Sequence, residues 1–418
     1  MGDARMVNGF TDMIAGSLNL REPWYVEGAE FLPERQEVHI YVSVRKDAVL
    51  ACPCCGGEAV RNGYEPNERV WRHGDCMFYP SFVHCKRPRI RCPKCGSTKV
   101  MNAPFERKNS RFTLLFEGYA MLILADTPRA KAADVLRCDE KSLATILHYW
   151  VNDAVKNRPL DNVECLAIDE TSRLRGHDYV TIVIDADQRC VIDVEEGRDK
   201  ETIALFAEKL EAHGGDAEAI SAVTSDMSKS YVPAIAENFP NAVNIIDKFH
   251  VKKVLMDALD DIRKAEQKAT DSKLALFRGR RLFMVPQSRM TEAQSAKLNM
   301  LSKLYPKTGR AYSIVTALDS FYACQTIEDA EKAFDGLCSW MRRCRLQPMK
   351  DAALTLKRHK DKILAYFYHR VTNAICEGIN AMIQAAKRKA RGFNTFIGFA
   401  SMIYLIAGKL ELAVPHPF

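Results

Sequence analysis

Apolar and polar residues alternate at Val38-His39-Ile40-Tyr41-Val42-Ser43-Val44, the period of a half-buried strand. Five later stretches, 163–169, 179–186, 189–195, 220–226 and 242–247, are short runs rich in Val, Ile and Ala and read as strands. The first three follow one another directly, with Asp187-Gln188 as the turn between the second and third. A helix is predicted over 199–213, and another lies between the fourth and fifth strands. Helical spacing also governs 111–150, with breaks at Asp126-Thr127-Pro128 and near Cys138-Asp139. From 248 to 369 the pattern is almost wholly helical. The last apolar segment is 393–412.

Three sequential strands followed by alternating helices and strands is the element order of an RNase H-like fold, a mixed five-stranded sheet flanked by helices. In that order the first and fourth strands are neighbours. Asp169 and Asp226 end those strands and are expected side by side at one sheet edge. The fifth strand also ends in an acid, Asp247, which competes for the same role. Either Asp169 or Asp226 taken alone reads better as a turn former or helix cap. Glu170 adjoins Asp169 but should face away on an extended chain.

Within the earlier helical region, 129–136 reads as a short amphipathic helix and Asp139 as the N-cap of the next. That next helix sets Leu143, Ile146, Leu147, Trp150 and Val151 on one face and turns Lys141, Ser142, Thr145 and His148 outward. This is the layout of a helix-turn-helix whose second helix enters the major groove. A plain αα-hairpin fits the same spacing.

Composition narrows the class. The chain has 418 residues, 47% of them hydrophobic, which suits several domains and not disorder. No run of about eighteen apolar residues predicts a membrane span. The N-terminus lacks the apolar core of a signal peptide, and Met6 stands where a myristoylation signal needs Ser or Thr. A cytoplasmic protein is expected. Net charge is +7, concentrated in basic runs at 86–91, 278–281, 342–345 and 387–391. Each run alone is an ordinary solvated face. Several beside a metal module point to nucleic acid.

Seven of the fourteen cysteines lie between Cys52 and Cys95. Cys52-Pro-Cys-Cys55-Gly and Cys92-Pro-Lys-Cys95-Gly are two CPxCG knuckles. In each, CxxC brings two thiolates to one metal and the glycine permits the tight turn. Together they predict a closed structural Zn²⁺ site of Cys52, Cys55, Cys92 and Cys95 in a zinc ribbon. Cys54 is a competitor for the place of Cys55. The basic segment leading into the second knuckle, with Arg87, Arg89 and Arg91, is expected along a phosphate backbone.

Two adjacent aspartates repel unless a cation lies between them. Hard oxygen ligands suit Mg²⁺ or Mn²⁺, and a third acid would complete a two-ion site for phosphodiester chemistry. Glu377 is the best candidate, because no other acid lies between Asp361 and Glu411. It shares a helical face with Asn373 and Asn380, at i−4 and i+3, which are placed to orient it or to touch DNA. The basic run Lys387, Arg388 and Arg391 follows on the same helix.

These residues resemble the DDE transposases of bacterial insertion sequences, in particular the ISL-three family. Ile168-Asp-Glu-Thr-Ser172, Gly176-His177 and Tyr179-Val-Thr181 look like the family's first-Asp block, followed by Glu196-Gly-Arg-Asp199. Asp226-Met-Ser228 with Tyr231 looks like the second. Asp247-Lys-Phe-His250 is similar to D-R-F-H, with Lys for Arg. Thr372-Asn373 with Glu377-Gly-Ile-Asn380 resembles the terminal Glu block, and the tail to Gly392-Phe393 matches. Arg175 and Ala374 depart from the usual Lys and Gly. The resemblance implies a catalytic triad of Asp169, Asp226 and Glu377 holding two Mg²⁺ or Mn²⁺ ions. It also implies a helical insertion before the Glu helix.

The chain is therefore expected to divide into an N-terminal segment with strands (1–48), a zinc ribbon (49–105) and a helix-turn-helix (108–158). A catalytic core follows in two parts (163–256 and 369–418), split by the insertion (257–368). The expected function is a DNA transposase that binds terminal inverted repeats, then cleaves and transfers strands, as a homodimer or larger assembly on nucleoid DNA. A nuclease without strand transfer and a DNA-binding repressor on the same scaffold are the alternatives.

Overall fold

The computed structural model describes residues 9–174, 178–269, 273–285, 289–369 and 374–414. The fold is mixed α/β, and the chain separates into two compact units. The first comprises Met1–Val155 with Lys389–Arg391 and Leu410–Phe418, and the second Lys156–Arg388 with Gly392–Lys409.

The first unit begins with α1 (Phe10–Ser17), β1 (Trp24–Leu32) and β2 (Glu37–Val44). Short strands follow: β3 (Leu50–Ala51), β4 (Glu58–Tyr64), β5 (Arg69–Cys76), β6 (Tyr79–Cys85), β7 (Pro88–Arg91) and β8 (Thr98–Val100). They form two four-stranded sheets, ordered β1-β2-β6-β5 and β3-β4-β7-β8. β2 buries Val38, Ile40, Val42 and Val44 and leaves the residues between them half-exposed, as its alternation predicts. It pairs in parallel with β6, from Val38↔Ser81 to Val42↔Cys85. The stretches 1–48 and 49–105 thus share a sheet, and the expected division between them runs through it. The physical reason is apolar area. Val38, Ile40, Trp71, Val83 and Ile90 bury one another together with Cys52 and Cys92, and a two-knuckle ribbon alone would lack that core.

The unit continues with α2 (Leu114–Asp126), α3 (Arg129–Leu136) and α4 (Glu140–Asn157). The α3 bounds are those read from the sequence. Arg137 takes the left-handed conformation, φ 52°, that closes α3. Asp139 caps α4 by accepting from the Ser142 amide at 2.8 Å. Leu143, Ile146, Leu147, Trp150 and Val151 are buried, as their spacing predicts. Fully buried Glu117 on α2 ties the three-helix region together. It accepts from Arg107 at 2.8 Å and from the Trp150 indole at 2.7 Å.

In the second unit, β9 (Cys165–Ser172), β10 (Tyr179–Asp185) and β11 (Cys190–Glu196) are followed by α5 (Lys200–Ala212), β12 (Ala222–Ser225), α6 (Tyr231–Asn238) and β13 (Val243–Ile246). The sheet order is β11-β10-β9-β12-β13. β9, β10 and β11 are antiparallel to their neighbours among themselves, while β12 runs parallel to both β9 and β13. β10 is buried along almost its whole length, which is why its sequence shows an apolar run and no alternation. Ile203, Phe206 and Leu210 of α5 and Tyr231 and Ile235 of α6 pack with Leu166, Ile168, Val183 and Val223 of the sheet.

The helices after β13 are α7 (Lys248–Ala269), α8 (Lys273–Gly279), α9 (Glu292–Leu304), α10 (Pro306–Tyr322), α11 (Ile327–Arg343), α12 (Gln347–Arg358), α13 (Lys360–Leu364) and α14 (Tyr366–His369). They share one core, from Val251 and Leu255 to Leu356 and Leu364, with Phe321 and Phe334 at full burial. Then come α15 (Ala374–Lys389) and α16 (Phe396–Ala407). α16 packs on β11, where Tyr404 donates to Asp193 at 3.2 Å. Among the described residues, no helix is long and apolar enough to cross a membrane.

Candidate active site

In the first unit the two knuckles close in the same way. Gly56 and Gly96 each take φ 69°, a left-handed turn that a side chain would strain. Their amides donate to the Cys52 and Cys92 carbonyls, each at 2.9 Å. The Sγ atoms of Cys52 and Cys95 are 3.7 Å apart and those of Cys55 and Cys92 3.6 Å, and all four lie within 4.8 Å of one another. A tetrahedral zinc with sulfur at about 2.3 Å requires edges of roughly 3.8 Å. The two shortest edges match that value, and the four sulfurs together could hold zinc. Hydrogen bonds from the Ser97 hydroxyl and the Cys54 amide pull the Cys52 thiol down to about 6, toward the thiolate that binds metal. Cys54 is exposed and stands outside the cluster.

The basic residues of this unit divide. Arg89 and Arg91 are exposed on β7. Arg87 instead lies inward and pairs with Glu65 at 2.9 Å and Glu106 at 2.6 Å. On α4, Lys141, Thr145 and His148 are exposed, while the Ser142 hydroxyl is engaged with its cap, Asp139, at 2.7 Å.

In the second unit, strand register brings the aspartates together. Ala222 pairs with Cys165 and Val243, and Thr224 with Ala167 and Ile245. Carried on by two residues, just past the ends of β12 and β13, that register lines up Asp169, Asp226 and Asp247 in one row, and the Asp247 amide still donates to the Ser225 carbonyl at 3.2 Å. Side chains at one register on parallel strands point to one side. Asp226 Oδ1 accepts from the Ser228 amide at 2.7 Å. Asp169 Oδ1 accepts from the Glu170 amide at 2.8 Å, and Oδ2 from Asn380 Nδ2 on α15 at 2.6 Å.

Electrostatics leaves Asp169 short of positive charge. Burial raises the Asp169 pKa, and Asp247 and Asp226 add to the rise against the Glu170 amide and His250. Burial likewise raises Glu170, helped by Asp226 and opposed by Arg198. His250 sits 3.4 Å from Asp247. Burial disfavours its charge, but the bond to Asp247 and the fields of Asp169 and Asp226 outweigh that, and its pKa is raised. The donor set is oxygen and the deficit is positive charge, which suits a hard divalent cation.

Glu377 lies exposed in the first turn of α15. Beside it, Cys376 is buried and its thiol is pushed up, by burial first and then by Asp169, Asp247 and Glu377. Further along α15, Lys387 bonds to the Ser172 carbonyl and hydroxyl on β9, while Arg388 and Arg391 are exposed. Arg175, Gly176, His177, Thr372 and Asn373 lie outside the described residues. Two contacts had weak sequence signals. Gln384, one turn beyond Asn380, donates to Thr171 at 2.9 Å, and His250 stands at i+3 from Asp247.

A family model described as transposase, of the ISL-three DDE type, matches residues 166–403, from β9 through most of α16. The chain belongs to this transposase family. It is 26% identical over 381 residues to the transposase for insertion sequence element IS1557 of Mycobacterium tuberculosis, covering 85% of each chain. It is also 26% identical over 352 residues to the transposase for insertion sequence element IS1001 of Bordetella parapertussis, covering 83% of this chain and 86% of that one. The protein is thus an enzyme, a transposase, and its family implies a DNA substrate and a divalent cation. The matched segment contains the whole aspartate row and α15; the Cys52–Cys95 cluster lies before it.

Proposed function

We propose that this transposase binds the terminal inverted repeats of an insertion sequence and cuts and joins DNA at a site formed by Asp169, Asp226 and Glu377. The observation that carries the reading is the row of aspartates at one register, with α15 bonded to the strand that bears the first of them. The strand order, three antiparallel strands and then two parallel ones, supports an RNase H-like core over 163–256 and 369–418. The helices of 257–368 are the insertion within it.

Asp169 and Asp226 would hold the cations from neighbouring strand positions, and Glu377 would complete the set from the helix. Divalent cations there would lower the pKa of a water or 3′-hydroxyl so that it loses its proton and can attack, and would neutralise charge on the phosphate. Asp247, the third member of the row, has His250 beside it, 3.4 Å away, and the pair keeps the row's electrostatics poised for a cation. Attack by water at the element end forms one P–O bond and releases a 3′-hydroxyl. That hydroxyl then attacks a target phosphodiester in line and displaces the target's own 3′-oxygen. Arg388 and the exposed bases near it neutralise backbone phosphates. In the first unit, a zinc ribbon held by Cys52, Cys55, Cys92 and Cys95 and a helix-turn-helix of α3 and α4 grip the repeat. There Lys141, Thr145 and His148 meet base edges and Arg89 and Arg91 meet phosphates. Two ends must be processed together, so a dimer or larger assembly acts on DNA.

The test is purified protein with Mg²⁺, element-end DNA and a target plasmid. Wild type yields nicked ends and strand-transfer product, and Asp226→Asn and Glu377→Gln each lose at least about a hundredfold of both. Cleavage without transfer product identifies a nuclease, and binding without cleavage a repressor. Unchanged activity in either variant removes that acid from the site.

A further inference from the structure

α15 is fastened to β9 by three side chains on one helical face. Asn380 Nδ2 donates to Asp169 Oδ2 at 2.6 Å, Gln384 Nε2 donates to Thr171 Oγ1 at 2.9 Å, and Lys387 Nζ reaches Ser172. The spacing i, i+4, i+7 aligns them along the helix. Gln384 and Lys387 end on neutral hydroxyl or carbonyl groups and need do no more than join helix to strand. Asn380 ends on a carboxylate of the proposed cation site.

That difference has a physical consequence. A carboxylate held at one oxygen swivels about its last bond. Asp169 is held at both, by the Glu170 amide on Oδ1 and by Asn380 on Oδ2. Each oxygen keeps a further lone pair free, so the group is fixed in plane yet still able to ligate. The donor is also neutral. A lysine at this position would hold Asp169 equally well but would supply the positive charge that a cation must bring, and so would compete with it. The amide pays for its position, because Asn380 Oδ1 is buried without a hydrogen-bond partner among the described residues. An orphaned acceptor retained beside an acid row points to a role that the rest of the helix–strand contact does not require.

We infer that Asn380 is a positioning residue that pre-orients Asp169 for divalent cation binding. This rests on reading Asp169 as a cation ligand. Groups that orient a metal ligand from behind typically govern affinity by 10- to 100-fold. Gln384 supplies the internal control, since it makes one side-chain bond between the same helix and the same strand.

The experiment is Mn²⁺ titration of the full-length, zinc-loaded protein, followed by the electron paramagnetic resonance of free Mn²⁺, with thermal unfolding of the same samples. Asn380→Ala is expected to weaken Mn²⁺ binding by about 10- to 100-fold. Gln384→Ala lowers the melting temperature comparably and leaves Mn²⁺ affinity at the wild-type value. Asn380→Leu, which keeps the volume and removes the donor, gives the same loss of affinity and covers the case in which the alanine variant folds poorly. The inference is overturned if Asn380→Ala and Asn380→Leu bind Mn²⁺ as tightly as wild type while Asp169→Asn does not bind. If Asp169→Asn itself keeps wild-type affinity, the reading of Asp169 as a ligand fails first, and this one with it.

Discussion

The Cys52–Cys95 cluster and the aspartate row are both suited to metal, but they are assembled from opposite materials. Each pair of sulfurs comes from a five-residue knuckle whose own backbone closes the turn, with the same φ of 69° at Gly56 and Gly96. The oxygens come from β9 and from just past the ends of β12 and β13, brought level by parallel pairing, with a helix from far along the chain fastened alongside. Soft sulfurs in a closed tetrahedron suit a structural ion, while hard oxygens at a sheet edge leave room for substrate. The difference teaches where the stability of each site resides. Knuckles of this kind are expected to depend on their metal to keep four thiolates together. The row is held by the sheet whether or not a cation is present.

The largest expected effect tests that asymmetry. Removing zinc with a chelator, or replacing Cys92 by Ser, should abolish metal content and unfold the ribbon, since structural zinc sites contribute about 10 kcal/mol or more to folding. Element-end binding is lost with it. Wild type should carry about one zinc per chain, and Cys54→Ser should retain it. Zinc lost from Cys54→Ser, or kept by Cys92→Ser, breaks the assignment. Asp169→Asn, by contrast, removes cation binding and leaves the circular dichroism of the fold unchanged.

The same contrast explains what the sequence made legible. The knuckles are local, so CPxCG written twice is nearly a full description of the cluster. The aspartate row is legible only through topology. Asp169 and Asp226 follow once strand order places their strands together; Asp247 was legible as a competing strand-end acid, but that it stands level with both follows only from a register that no single strand encodes. Helix ends with a local cause were readable too: Asp139 is followed three residues later by the Ser142 amide it caps. Long-range polar pairing was not. Nothing near Arg87 in the chain announces Glu106, and nothing near Glu117 announces Trp150. The shared sheet of β2 and β6 was hidden for a similar reason, because alternation reveals a buried face without naming the strand it joins.

Arg87 gives the next test. The basic run reads as a phosphate-binding strip, yet this guanidinium pairs with Glu65 and with Glu106, whose side chain is 2% exposed. Truncating it leaves a buried carboxylate with, among the described residues, only Arg69 at 3.7 Å and the Ala103 amide at 3.0 Å. Breaking a buried pair from one side costs about 3–5 kcal/mol. Arg87→Ala should therefore lower the melting temperature, and Arg87→Ala with Glu106→Gln should recover part of the loss. A variant as stable as wild type would return Arg87 to the DNA-facing set.

The smallest effect separates Arg87 from its neighbour two residues on. Arg89 is exposed on β7 and its guanidinium has no carboxylate partner among the described residues, so its removal should cost no stability. What it should change is salt dependence. Each phosphate contact releases condensed counterion, so losing one lowers the slope of log affinity against log salt by about 1. Measured on element-end and unrelated duplexes alike, Arg89→Ala should weaken binding to both by a similar factor, because a phosphate contact carries no base information. A loss confined to the element end would mean that Arg89 reads sequence. That result would move the sequence-reading surface from α4 toward the ribbon, since α4 would no longer be the sole source of discrimination.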